Sequence, residues 1–169
     1  MIDLGLAEPC LSFVNRMRSV YPKTIFTSGL RTRKDQARAM SQNLVTDRKY
    51  IDVYMHSVAI DRIREWLQNN PHVVDQAGIC QGLVGVLATL SDEQFEHLTS
   101  HGRGLAVDIA PGSAPRALVI ATACEFGGLV LSDLPDITVL ERGKILWREG
   151  GLKRCHVQFR PLPVAPVSA

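Results

Sequence analysis

The chain has 169 residues, of which 46% are hydrophobic and 21% charged, and its formal net charge at pH 7 is +2. The length fits one domain, and this ordinary globular composition excludes a largely disordered chain. The charge excess is small and aromatic residues make up only 6% of the chain. We therefore expect no nucleic-acid partner, because both a basic patch and a base-stacking platform are missing.

We expect neither a membrane span nor a signal peptide in this sequence. The longest apolar region, residues 79–90, is interrupted by glycines and is shorter than the 18 or more residues of a membrane span. The first residues lack the basic and apolar regions of a signal peptide. These features predict synthesis in the cytoplasm, with any export depending on another factor.

The cysteines and the last residues define the expected domain. The four cysteines are widely spaced and form no C-x-x-C pair, which favours reduced, mostly buried thiols over a disulfide framework or a zinc ribbon. Three prolines in residues 161–169 predict an extended tail. We expect a single domain over residues 1–160, and a monomer.

The first half of the chain is predicted to be mainly helical. Apolar spacing indicates a helix over residues 5–19, and residues 24–27 form a short β-favouring segment. Thr32 and Asp35 resemble a weak capping box for a helix that continues to Leu44. A long amphipathic helix is expected over residues 51–67. The glycine-interrupted region that follows has no clear periodicity, although a short helix can begin at residues 91–93.

The second half of the chain is predicted to contain most of the strands. A buried strand is expected over residues 105–109 and a helix over residues 115–126. Three further strands joined by glycine-containing turns are expected at residues 137–140, 144–147 and 154–159. Helices first and a β-meander last predict an α+β fold.

The most informative segment surrounds Asp108. On a strand, Ala106 and Asp108 share one face, and a carboxylate in such an apolar strand needs a partner. Gly102 and Gly104 allow the backbone to fold back, so that His101 can approach Asp108. A histidine and an aspartate aimed at one point are reasonable zinc ligands, although a simple hydrogen-bonded pair explains the same pattern.

The last predicted strand offers a third ligand. His156 alternates with core residues and therefore lies on the same face as Arg154 and Gln158. Two histidines and one aspartate would give a zinc ion three protein ligands and leave one position for water, which is the catalytic arrangement. The alternative is that His156 is an exposed strand residue without a metal.

Three separated segments resemble the zinc D-Ala-D-Ala carboxypeptidase and phage endolysin peptidase family, which shares its fold with hedgehog signalling domains. Residues 99–109, TSHGRGLAVDI, resemble its S-x-H-x-x-G-x-A-x-D motif. Residues 27–32, with Gln36 downstream, resemble its Ser-Gly-Tyr-Arg-Ser segment. Residues 145–151 and 155–158 resemble its closing strand. The resemblance covers residues 20–160 and implies a small central antiparallel sheet with helices packed on it.

The resemblance also assigns roles to individual residues. It implies Zn²⁺ bound by His101, Asp108 and His156. Arg31 would bind a substrate carboxylate or stabilise an oxyanion, because its planar guanidinium stays charged and donates paired hydrogen bonds. Ser28 and Gln36 would bind substrate beside it. Alternatively, Arg31 is a solvated residue at the start of a helix and has no role at a site.

The general base is the point at which the sequence departs from the family pattern. Many members have a carboxylate three residues before the last histidine, where this chain has Lys153. Glu149, seven residues before His156, is the candidate base, and Glu141 is the second choice. A carboxylate is required there to take a proton from the metal-bound water.

The resemblance therefore implies a zinc peptidase that cleaves peptidoglycan stem-peptide or cross-link bonds, as an endopeptidase or a carboxypeptidase. Without a signal peptide, such an enzyme would reach the cell wall after release during phage lysis, or as a virion component. The alternative is a catalytically weak or inactive zinc-binding structural module of the same fold, because Lys153 replaces the usual base.

Overall fold

The structure is a computed structural model that describes residues 4–54, 56–149 and 153–161, without the side chains of Arg148 and Glu149. The α-helices are α1 (Cys10–Val20), α2 (Arg33–Leu44), α3 (Val58–Asn69), α4 (Gln76–Ala88), α5 (Asp92–Leu98) and α6 (Arg116–Gly127). The 3₁₀ helices are Arg48–Val53 and Ser100–Arg103. The strands are β1 (Phe26–Ser28), β2 (Ala106–Ile109), β3 (Val130–Asp133), β4 (Ile137–Leu140), β5 (Gly143–Glu149) and β6 (Arg154–Phe159).

Contacts divide the chain into two compact units, one formed by the described residues of Met1–Leu30 and Gly104–Ala169 and the other by Arg31–Arg103. The predicted α+β class is confirmed. The single domain expected over residues 1–160 stays a prediction. The predicted tail lies outside the described residues, apart from the exposed Pro161.

The first unit is a six-stranded antiparallel sheet with α1 and α6 packed on it. The strand order is β1-β2-β6-β5-β4-β3, so β2 and β6 are neighbours although 44 residues separate them in the chain. Phe13 of α1 and Phe159 of β6 meet in the core with their ring centroids 5.6 Å apart. Phe13, Val14 and Met17 of α1 are buried, and their helical spacing places them on one side of the helix. This apolar side is the one that packs on the sheet.

The second unit is a helical cluster of α2, α3, α4 and α5. Its core is formed by the apolar faces of these helices, with Met40, Ile63 and Leu83 fully buried. Side-chain caps begin the helices, since Ser57 accepts from the Ile60 N–H and Asp75 accepts from the Gly78 N–H. No helix in the described part of the chain is long and apolar enough to cross a bilayer.

Several predicted boundaries are wrong, and one helix and one strand were missed. The helix expected over residues 51–67 begins only at Val58, because Ser57 caps it and a 3₁₀ helix precedes it. The helix expected from residue 5 begins at Cys10, and the strand expected at residues 24–27 lies at Phe26–Ser28. The region without clear periodicity contains the helix α4, which has apolar residues on most of its sides and so shows no single apolar stripe. β3 was not predicted.

The four cysteines are free, as the sequence predicts. Only Cys10 is fully buried, and the other three are half-buried. Burial, with a smaller contribution from the charge of Glu8, raises the pKa of the Cys10 thiol to about 12. This thiol therefore stays protonated at neutral pH and packs as a small apolar side chain.

Arg48 joins the end of α3 to the following loop, and its loss is expected to destabilise the protein. Its guanidinium donates to the carbonyl of Leu67 at 2.8 Å, to that of Asn70 at 3.2 Å and also to that of Val73. Because hydrogen bonds from a charged donor are each worth about 1.5–3 kcal/mol, we expect Arg48→Ala to lower the free energy of unfolding by about 2 kcal/mol. Urea titration measures the loss, and the exposed neighbour Lys49→Ala is the control. An equal loss of stability in the two variants would show that the hydrogen bonds of Arg48 do not stabilise the protein.

Candidate metal centre

Asp108 occupies the centre of the buried strand β2. Its side chain is fully buried, and every residue of Ala106–Ile109 is buried. The α-carbon of Asp108 pairs with that of Ser28 on β1 and with that of His156 on β6. Directly paired residues share one face of a sheet, so this register places three polar residues in a row across three strands.

Two cationic or polar side chains of β6 contact the Asp108 carboxylate. The Nδ1 atom of His156 lies 2.9 Å from Oδ1, and Nη1 of Arg154 donates to Oδ2 at 2.9 Å. The side chains of His156 and Arg154 are 6% and 20% exposed. A buried carboxylate is costly unless it is paired and hydrogen-bonded, and these two contacts satisfy both of its oxygens.

The other ring nitrogen of His156 contacts a third residue of the same strand face. Its Nε2 atom lies 3.2 Å from Oε1 of Gln158. Arg154, His156 and Gln158 are two residues apart, which is the repeat of a strand face. The alternation predicted for β6 therefore places these three side chains beside one another, and it orients the imidazole of His156 between a carboxylate and an amide.

His101 lies in the 3₁₀ helix Ser100–Arg103, just before β2, and is 2% exposed. Its backbone N–H donates to the Thr99 hydroxyl at 3.3 Å, and its carbonyl accepts from the Arg31 N–H at 3.3 Å. Gly104 then has a φ of +67°, and a Cβ there would lie 2.8 Å from the Gly5 carbonyl oxygen. The turn from His101 into β2 therefore requires glycine at position 104, as the sequence predicts.

The three predicted ligands form one buried group. One ligand atom from each of His101, Asp108 and His156 lies within 4.8 Å of the other two. Atoms bound to one tetrahedral zinc ion lie about 3.4 Å apart, so small side-chain rotations would bring this group to that geometry. Two imidazoles and one carboxylate suit zinc and also other divalent ions that bind nitrogen and oxygen. The group can therefore hold a metal ion.

The residues predicted to bind substrate lie at the end of β1 (Ser28), in the segment before α2 (Arg31) and on α2 (Gln36). Ser28 is the last residue of β1 and pairs with Asp108. Nη1 of Arg31 donates to Oε1 of Gln36 at 3.4 Å, and Gln36 is 1% exposed. Thr32 begins α2 by accepting from the Asp35 N–H, which confirms the predicted cap. Substrate binding by Ser28, Arg31 and Gln36 stays a prediction.

The structure describes the side chain of Glu141 but not that of Glu149, the two candidate bases. Glu149 is the last residue of β5 and its α-carbon pairs with Arg154, whereas its side chain lies outside the described part of the chain. Glu141 is exposed and accepts from the Leu129 N–H at 3.2 Å, so its carboxylate is engaged at the turn before β5. Lys153, with a φ of +49°, is exposed in the turn before β6.

Arg154 is the site residue that the sequence analysis did not assign a role. The available signal was its position two residues before His156, on the strand face that carries the polar side chains. A buried aspartate on the neighbouring strand requires a positive partner, and Arg154 supplies one. Spacing alone did not reveal the pair, because it depends on which strand β6 joins.

Comparison with known proteins gives no family for this chain. No protein-family model, curated protein or solved structure matches the chain. The resemblance to zinc peptidases of the cell wall therefore stays a prediction. It is based on residues 27–36, 99–109 and 145–158 of the sequence itself.

Proposed function

We propose that this protein is a zinc-dependent peptidase with a hedgehog/DD-peptidase-like fold that cleaves peptide bonds of peptidoglycan. The observation that carries the proposal is the buried group of His101, Asp108 and His156, whose ligand atoms lie within 4.8 Å of one another. Three protein ligands, rather than four, leave a coordination position for water or substrate. The substrate class comes from the sequence resemblance.

The metal and the protein would contribute separately to catalysis. A bound zinc ion would lower the pKa of a coordinated water and polarise a substrate carbonyl. Arg154 holds Oδ2 of Asp108, and this contact fixes the orientation of a ligand carboxylate. Burial of Asp108 and of both histidines keeps bulk water away from the site, which strengthens electrostatic interactions there.

Two further residues complete the proposed chemistry. Glu149 would accept a proton from the attacking water and pass it to the leaving amine, because its α-carbon pairs with Arg154, two residues before His156. Arg31 would bind the carboxylate of the substrate or stabilise the developing oxyanion. The proposed enzyme acts on the cell wall after release during phage lysis, or as part of a virion.

Lys153 favours one second candidate function. It occupies the position where the resembled family often has its base, and an ammonium group offers hydrogen-bond donors and no acceptor. A chain without an alternative base would bind the metal and not hydrolyse peptides efficiently. The second candidate is therefore an inactive zinc-binding structural module.

Digestion of purified peptidoglycan, followed by mass spectrometry of the released fragments, tests both candidates. We expect zinc-loaded protein to release peptide fragments, and we expect His101→Ala and Glu149→Gln to abolish the release. His97→Ala is the matched control for the first variant, because His97 is exposed and its Nδ1 contacts the Glu93 carbonyl of its own helix. Glu141→Gln should keep the release, because the Glu141 carboxylate already accepts from the Leu129 N–H; loss of release in this variant and not in Glu149→Gln would assign the base to Glu141.

The outcomes separate the two candidates. One zinc ion per chain without any fragment release would support the structural module and refute the peptidase. Release that persists in His101→Ala would refute the assignment of the metal centre. The masses of the fragments identify the bond that is cut and so distinguish an endopeptidase from a carboxypeptidase.

A further inference from the structure

A second candidate site lies on the helical unit, in a groove between α3 and α4. The groove has a volume of about 510 Å³ and is lined by residues of these two helices and the segments that follow them. Trp66 of α3 is its aromatic component, and Gly82 and Gly85 of α4 lie opposite. None of the proposed metal ligands lines the groove, so it is a site distinct from the candidate metal centre.

Gly82 allows the Trp66 indole to lie directly against α4. A Cβ atom at Gly82 would be 1.8 Å from Cζ2 of Trp66, which is far inside van der Waals contact. Any larger residue would displace the ring. The indole is half-buried against the core of this unit, so it is held in place while part of it faces the groove.

Gly85, one helical turn after Gly82, leaves the space beside the indole open. A Cβ atom built at Gly85 would meet no heavy atom within 4 Å, and the residue is exposed. Glycine in the middle of a helix costs about 1 kcal/mol relative to alanine. The open space is therefore not required for packing of α3 against α4, and filling it would stabilise the helix.

The polar groups around the indole define the chemistry of a ligand. Glu65, Asn69 and Gln81 line the groove and are exposed, and their side chains make no hydrogen bond to the part of the chain that the structure describes. Two amides supply both donors and acceptors, and the carboxylate supplies acceptors. A ligand with hydroxyl and acetamido groups matches this mixed set, because it carries both donors and acceptors itself.

The charges of the groove favour a neutral ligand, because its lining holds one cationic and one anionic residue, Arg62 and Glu65. The Arg62 guanidinium donates to the Thr89 carbonyl at 3.1 Å and to its hydroxyl at 3.0 Å, so it is held at the groove edge. These bonds go to neutral oxygens, so the guanidinium stays charged and offsets the charge of the Glu65 carboxylate, which also lines the groove. A cation would use the carboxylate and the ring face but would leave the amide donors unpaired.

We propose that the Trp66–Gly85 groove binds a neutral saccharide of N-acetylated amino sugars. The apolar face of one pyranose ring would stack on the Trp66 indole, in the space that Gly85 leaves open. Its hydroxyl and acetamido groups would bond with Asn69, Gln81 and Glu65. Ligand sites in proteins commonly combine an aromatic wall with a few convergent polar groups in this way.

Titration of the full-length chain with triacetylchitotriose tests the proposal. The chain has two tryptophans, and Trp147 stacks on Arg116 outside this groove, so a Trp147→Phe chain reports Trp66 alone. We expect a saturable change in Trp66 fluorescence with a millimolar or tighter dissociation constant. Titration calorimetry on the unaltered chain gives the same constant without relying on that substitution.

Gly85→Leu is the decisive variant, because it fills the groove and is expected to fold at least as stably as the original chain. We expect it to weaken saccharide binding by about tenfold or more, which corresponds to about 1.4 kcal/mol. Ala77→Leu is the matched control, since Ala77 is an exposed residue of α4 that does not line the groove. It should bind like the original chain.

Three results would overturn the proposal. The first is the absence of saturable saccharide binding by either method. The second is equal affinity in Gly85→Leu and Ala77→Leu, which would place binding elsewhere. The third is a response to choline that exceeds the response to triacetylchitotriose, because this would identify a cation site. None of these results affects the metal centre, whose residues lie outside the groove.

Discussion

Replacing Asp108 with alanine is expected to lower the free energy of unfolding by about 3 kcal/mol, because breaking a buried ion pair from one side leaves the remaining charge without compensation. Arg154 and His156 both lose a carboxylate oxygen at 2.9 Å and are 20% and 6% exposed. Removing one partner of a buried pair costs about 3–5 kcal/mol of stability. Because water partly reaches Arg154, we expect a loss near the lower end of that range. Asp108→Asn keeps the shape of the side chain, so we expect it to lower the free energy of unfolding by less than Asp108→Ala.

An exposed pair of the same geometry provides the control for Asp108→Ala. Arg33 contacts the Asp92 carboxylate at 2.9 Å, and the Asp92 side chain is 89% exposed. Surface pairs of this kind contribute about 0–1 kcal/mol, so Asp92→Ala should change stability little. Urea titration with comparison of midpoints and slopes measures both variants. Equal losses would show that the buried network does not stabilise the fold.

Zinc is expected to raise the midpoint of thermal unfolding of the metal-free protein. An ion that binds only the folded state at 100 to 1,000 times its dissociation constant adds about 2.7–4.1 kcal/mol. For a chain of this size, that corresponds to a shift of roughly 5–16 °C. Differential scanning calorimetry with and without zinc measures the shift, and a chelator should reverse it.

The dependence on individual histidines shows whether the shift comes from the proposed centre. His101→Ala and His156→Ala should remove most of it, because each deletes one of the three proposed ligands, and losing even a supporting residue costs about 10–100-fold in affinity. His97→Ala should keep the full shift, since His97 is exposed. A midpoint that neither zinc nor the chelator moves would end the proposal of a metal centre.

The two proposals depend on different residues and fail separately. Loss of the metal response would leave the Trp66–Gly85 groove as a saccharide site on an inactive protein. Loss of saccharide binding would leave the peptidase proposal intact, because none of its residues lines that groove. If both hold, one chain would combine a hydrolytic centre with a site for the glycan part of the same polymer.

Local features of the sequence predicted two of the candidate metal ligands, Asp108 and His101. The alternation around Asp108 placed a carboxylate in an apolar strand, and Gly104 at a positive φ confirmed that the chain must turn after His101. Both features depend on neighbours within a few residues, and steric limits on the backbone act over that distance. For the same reason the cap at Thr32 was predictable.

Other local patterns gave wrong predictions, because the same pattern of residues is compatible with more than one secondary structure. The apolar spacing of residues 51–67 continues through a 3₁₀ helix and a cap, so periodicity could not show that α3 begins at Val58. α4 lacks a polar stripe and contains three glycines, which hid a helix that is stabilised by packing in its unit. β3 is short and largely exposed, so it carries little hydrophobic signal.

The sequence by itself determined the α+β class, the candidate donor set of two histidines and one aspartate, and the glycine turn that joins His101 to β2. Only the tertiary structure decided that β6 lies beside β2, that His156 pairs with Asp108, and that Arg154 binds the same carboxylate. Strand order and register depend on contacts between residues that are distant in the chain, and the spacing of neighbouring residues does not encode them.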